Sequence, residues 1–210
     1  YRSSRGLGDV YKRQVYSTGT DTVTDCDFTD NTADTGVGAY VVVEATADFS
    51  GGSFSGNSSP EAGALEFNDS TGTVDGVTFE SNSTSEEGAG ALYIHSDAEV
   101  TVSNATFTGN AATLDGGAIH ISDATATIET SAFTDNTADD DGGAICLNNE
   151  ASAELSWLTF ESNVSGDNGG AVGVITDGTI TISDSTFDAN EAADYGGGLY
   201  VYKDSAATVS

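Results

Sequence analysis

Positive charge is what this sequence has least of. Lys and Arg together number 5 in 210 residues, against 34 Asp and Glu, for a formal net charge of −29. Four of the five, Arg2, Arg5, Lys12 and Arg13, fall in the first 14 positions, which also hold one acidic residue, Asp9. Residues 15–210 therefore carry 33 acidic side chains and one basic one, Lys203. A surface so one-sided repels nucleic acid and anionic membranes, and it repels itself unless salt screens it. Met is absent, Pro60 is the single proline, and Cys26 and Cys146 are the only cysteines. Two cysteines so far apart in sequence make no disulfide framework, and with no CxxC pair they suggest no zinc site. No apolar run reaches the roughly 18 residues of a membrane-spanning helix. Yet apolar residues are 37% of the chain, too many for a disordered acidic polymer.

What is present is repetition. Phe-x-x-Asn occurs seven times, as Phe28/Asn31, Phe54/Asn57, Phe79/Asn82, Phe107/Asn110, Phe133/Asn136, Phe160/Asn163 and Phe187/Asn190. The steps between phenylalanines are 26, 25, 28, 26, 27 and 27 residues. Nine to eleven residues after each Phe comes a small-residue turn with an apolar tail, such as "GGAIHI", "GGAICL" and "GGGLYV". Five residues before each Phe stands another apolar residue: Val23, Phe49, Val74, Val102, Ile128, Leu155 and Ile182. The stretches "TITIS" and "AIHIS" alternate with period two, which means strand, and no segment carries a helical period. These strands are too short to pair as local hairpins. The pattern predicts an all-β, three-sided parallel β-helix of about seven coils, roughly 26 residues each, in which like stacks on like. Phe28, Phe54, Phe79, Phe107, Phe133, Phe160 and Phe187 would form one internal column. Asn31, Asn57, Asn82, Asn110, Asn136, Asn163 and Asn190 would form an amide ladder, and the Gly pair a turn with positive φ.

Three-sided helices of this kind resemble the pectin-lyase-like superfamily of right-handed parallel β-helices. The pairing of FxxN with GGA[ILV] resembles, more narrowly, the repeats of polymorphic outer membrane proteins and related surface adhesins. The resemblance covers residues 15–210. It implies an extracellular or cell-surface location and partners among glycans or host and cell-surface proteins. Residues 4–14, "SRGLGDVYKRQ", instead resemble a translated sequencing adapter, so 1–14 is set aside from the fold as an artefact. Both ends of 15–210 read as cut within a repeat, so a longer parent chain is expected.

For chemistry, the outward slot of the Gly-Gly strand runs Val41, Glu66, Tyr93, His120, Cys146, Gly173, Tyr200. Alternation puts it on the surface, with Tyr93, His120 and Tyr200 as a candidate ligand strip. Acidic residues gather before the Gly pair, and Asp115, Asp141, Asp167 and Asp194 are weak calcium candidates, because stacked loops bring oxygens together. Beyond calcium no cofactor is expected. Cys26 and Cys146, four coils apart at about 4.8 Å per coil, lie roughly 19 Å apart and should be free thiols. Two classes stay open: a non-catalytic, acidic, salt-adapted stalk or adhesin-like segment, monomeric and without membrane insertion, or part of a polysaccharide-degrading enzyme, glycoside hydrolase or lyase. The second is disfavoured. Lyases of this fold need a basic residue, and only Lys203 and two His are available; paired carboxylates fit a glycosidase, but no coil stands out to hold them.

Overall fold

A computed structural model describes residues 15–210; the adapter-like segment 1–14 lies outside the described residues. Each coil winds through strands that pair, all parallel, with the same strands one coil earlier and one coil later. The fifth coil shows the plan: Ile119–Ser122, Thr125–Glu129, Ala132–Thr134 and Thr137–Ala138. The first of these belongs to an eight-stranded sheet containing the Gly-Gly tails, and the second to another eight-stranded sheet. The third belongs to the seven-stranded Phe sheet. The result is a right-handed parallel solenoid of about seven turns. The three expected sides are joined by a fourth ladder, six strands of two residues each, directly after the Asn row. Two residues are too few to show an alternating pattern, so nothing in the sequence marked them as strand.

Register is kept at every step, Phe79 opposite Phe107 opposite Phe133 opposite Phe160. The phenylalanine rings stack at centroid spacings of 4.7 to 5.1 Å, which is one strand spacing per coil. Phe54, Phe79, Phe107, Phe133 and Phe160 are fully buried, each contributing about 1.5–3 kcal/mol by leaving water. Phe28 and Phe187, in the end coils, are partly buried. Ile119, Ile121, Ile128 and their equivalents fill the rest of a single core.

The asparagines satisfy one another. In the fourth coil Asn110 Nδ2 donates to Asn136 Oδ1 at 2.9 Å and back to the Phe79 carbonyl at 3.1 Å. Its Oδ1 accepts from both the backbone N–H and Nδ2 of Asn82, each at 3.0 Å. Both amide protons and the acceptor are thus used, which is why five of the seven can be fully buried at no net cost.

The corners between strands are left-handed. Asp25, Gly51, Gly76, Asn104, Thr130, Trp157 and Asp184 make one row at φ 47° to 65°. Asp30, Gly56, Ser81, Gly109, Asp135, Ser162 and Ala189 make another at 52° to 63°. Gly, Asn and Asp take this region readily, so their scatter through the loops is the mark of corner positions, while Thr130 and Trp157 occupy it against their preference.

Candidate functional site

The outward slot of the Gly-Gly sheet holds one of the two histidines, His120, and one of the two cysteines, Cys146. Its predicted register holds: Glu66 opposite Tyr93, Tyr93 opposite His120, His120 opposite Cys146, and Gly173 opposite Tyr200. Its predicted exposure does not. Glu66 is 6% exposed, His120 7% and Cys146 0%, while Tyr93 is half-buried. The cause is the Gly pair. Gly116 and Gly142 sit at φ of 65° and 68°, and this turn folds the preceding acidic loop back over the strand that follows. A Cβ on Gly116 would strike the Ile119 carbonyl and stand 3.0 Å from His120 Cβ; one on Gly142 would stand 2.9 Å from Cys146 Cβ. Contact that close admits only glycine.

Nor is the ligand strip continuous. Tyr93 stacks on His95 at 4.2 Å and on His120 at 5.2 Å. Tyr200 stacks instead with Tyr195 and Tyr202, at 6.1 and 5.9 Å, and both partners are more than half exposed. Cys146 and Gly173 lie between the two groups. His95 Nε2 meets Glu66 Oε1 at 2.7 Å, a diagonal cross-strand pair absent from the sequence reading. A His two residues beyond Tyr93 on the same face, with Glu66 on the adjoining rung, was the signal for it.

The acidic row also divides. Asp141 N–H donates to Asp115 Oδ1 at 3.1 Å, and Asn168 donates from both its N–H and Nδ2 to Asp141 Oδ1 at 3.0 and 2.9 Å. Asp115, Asp141 and Asn168 thus form one partly buried inner row, continued by a bridge from Asn168 to Tyr195. Asp167 and Asp194 stand one residue earlier in their coils, in an exposed row with Asp140, where Asp167 N–H bonds to the Asp140 carbonyl and Asp194 N–H to that of Asp167. The four calcium candidates accordingly fall into two rows, Asp115 and Asp141 partly buried and Asp167 and Asp194 exposed. Burial, the largest influence, raises the carboxyl groups of both Asp115 and Asp141, with like charge nearby adding to it.

Beneath that loop, Asp115, His120 and Cys146 bring one carboxylate oxygen, one ring nitrogen and the thiol sulfur within 4.8 Å of one another. Burial pushes the Cys146 thiol well up and holds His120 down at about 4, so the imidazole is neutral. Neither His120 ring nitrogen makes a well-formed hydrogen bond, although the Asn148 side chain and the Gly88 backbone lie close enough to act on it. Cys26 and Cys146 are both free thiols.

Successive coils whose strands all pair in parallel with the coils before and after define the class of β-helix proteins. The family model for the right-handed β-helix region matches residues 14–210, and the chain belongs to that family. No curated protein and no solved structure matches it.

Proposed function

We propose that this chain is a non-catalytic β-helix segment of a secreted or cell-surface protein, a stiff acidic stalk of adhesin type working in salt-rich surroundings. The observation that carries the reading is uniformity. Every ladder runs without a change of register through the described coils, from Val15–Ser17 to Ala206–Val209. At about 4.8 Å per coil, seven coils make a rod of about 35 Å whose wall differs little from rung to rung. Two surface grooves, of about 540 and 600 Å³, lie over turn residues such as Ser96, Asp123 and Asn149, beside Tyr93 and His95, in one and Thr18, Glu44 and Asp69 in the other. Most of this lining is corner positions that recur from coil to coil, with Tyr93 and His95 the exceptions in the first groove. The likeness of the FxxN and GGA repeats to surface-protein repeats supports an adhesin role, and the exposed Tyr195 and Tyr202 offer aromatic faces to a glycan.

The test has two arms. The purified chain is incubated with a panel of polysaccharides and assayed for new reducing ends and unsaturated uronates, and antibodies against it are applied to intact and to lysed cells of the organism that makes it. The reading expects no cleavage and labelling of intact cells. Sustained cleavage by the pure chain would put the polysaccharide-degrading reading in its place, and labelling only after lysis would remove the surface role.

A further inference from the structure

We propose that Asp115, His120 and Cys146 form a binding site for one zinc-class divalent transition-metal ion. The site lies between two neighbouring coils and under the loop that covers them. His120 and Cys146 are opposed residues on adjacent rungs, and Asp115 descends from the loop that turns at Gly116. Their donor atoms lie within 4.8 Å of one another. A tetrahedral zinc with bonds of about 2.0–2.3 Å spaces its ligands about 3.3–3.8 Å apart, so a contraction of about 1 Å closes the set.

The independent pointer is His120. It is 93% buried by its 7% exposure, and neither ring nitrogen makes a well-formed hydrogen bond, with only the looser approach of the Asn148 side chain and the Gly88 backbone beside it. An imidazole so buried without a well-formed hydrogen bond is costly, and a nitrogen within 4.8 Å of a carboxylate oxygen and a thiol sulfur gains a strong partner when a metal arrives. Asp115 has the right remaining capacity, since its Oδ1 is engaged by the Asp141 N–H, which fixes the carboxylate while leaving an oxygen for the ion. One sulfur, one imidazole nitrogen and one carboxylate oxygen suit a borderline ion such as zinc and are a poor set for calcium or magnesium. Three protein ligands leave a fourth position for water. The ion would fasten the acidic loop to the sheet and draw two coils together. It would also neutralise charge where the burial of Asp115 beside Asp141 is otherwise unfavourable.

The full chain, prepared in chelator and then freed of it, is titrated with cobalt(II) and, by competition against a chromophoric chelator, with zinc. The expected result is one equivalent of cobalt with tetrahedral d–d bands and a thiolate-to-cobalt charge-transfer band. Cys146→Ala should abolish the charge-transfer band and weaken zinc binding by roughly 100-fold or more, since even supporting residues of a metal site are worth 10–100-fold. Asp115→Asn, in the loop and outside the core, should weaken zinc binding at least about tenfold with circular dichroism unchanged. Cys26→Ala should leave all of it intact. The proposal is overturned if no charge-transfer band forms in the folded chain, if the band disappears with Cys26 instead of Cys146, or if a folded Asp115→Asn binds zinc as tightly as the parent.

Discussion

Replacing Asn110 by Ala interrupts the amide ladder at its middle, and the structure fixes what that leaves behind. The buried backbone N–H of Asn82 loses its acceptor, Asn110 Oδ1. Asn82 Nδ2 loses one of its two acceptors and keeps the Phe54 carbonyl. The Phe79 carbonyl loses the amide that reached it. Asn136 Oδ1 keeps a donor, the backbone N–H of residue 110. One fully orphaned buried donor and one half-satisfied amide, at about 1–3 kcal/mol each, give an expected loss of about 2–6 kcal/mol. Asn190→Ala removes the same two bonds from the fully buried Asn163, but the side chain lost is at a half-buried rung that opens the gap to water, and it should cost about 1 kcal/mol or less. Urea unfolding followed by circular dichroism measures both. Equal losses at the two positions, or a loss below about 1 kcal/mol for Asn110→Ala, would refute the reasoning, because the argument depends on burial and not on bond count. Asn110→Asp adds a check by pH. It keeps the acceptor but sets a carboxylate against the Phe79 carbonyl, which raises its folded pKa above the unfolded value near 4. Its stability should therefore be best below that value and fall as pH rises through the folded pKa.

Three further outcomes are expected. Phe133→Ala opens a gap in a stacked, fully buried column and should cost about 3–5 kcal/mol in the same assay; a loss under about 1 kcal/mol would mean the column is not packed as described. Asp141→Asn lets its new amide donate to Asp115 as Asn168 donates to Asp141, a bond worth about 0.5–1.5 kcal/mol. Because burial raises the Asp141 pKa, the parent's penalty appears as pH rises through that pKa, so the variant's advantage should be present at neutral pH and shrink towards pH 3; a difference independent of pH would show that charge plays no part. Raising salt from millimolar to molar should increase β-sheet circular dichroism or thermal stability, because 33 carboxylates against one lysine repel across the rod of residues 15–210; a salt-independent signal would argue against salt adaptation.

The repeats were legible because the solenoid turns stacking into periodicity. A Phe column and an Asn ladder each need one residue type at one place per coil, so FxxN at 25 to 28 residue steps displays the core directly. The outward slot was misjudged for the opposite reason. Alternation correctly gave the face on which His120 and Cys146 lie, but whether that face meets water depends on the loop that the Gly116 and Gly142 turns lay across it. The division of the acidic row was hidden in the same way. Asp115 and Asp167 each stand near a Gly pair, and only the register of the loop, with Asn168 beneath Asp141, separates an inward oxygen from an outward one. The triad draws its members from two coils and a loop, with no local motif, and so left no mark that a search for CxxC would find. Left-handed corners were partly visible in the Asp, Asn and Gly punctuation, but not where Thr130 and Trp157 fill them.

In-register stacking of successive coils is the central claim, and cross-linking tests it most directly. Thr101 and Thr127 are opposed residues on adjacent coils, and Glu154 is opposed to Thr127 one coil further on. In a Cys26→Ser background, cysteines at 101 and 127 should be about 4.8 Å apart, within reach of a disulfide, and cysteines at 101 and 154 about twice that, beyond it. Mild oxidation followed by mass spectrometry should give rapid, near-complete closure of the first pair and almost none of the second. Comparable closure of both pairs, or faster closure when the second cysteine is moved from 127 to 128, would contradict the account.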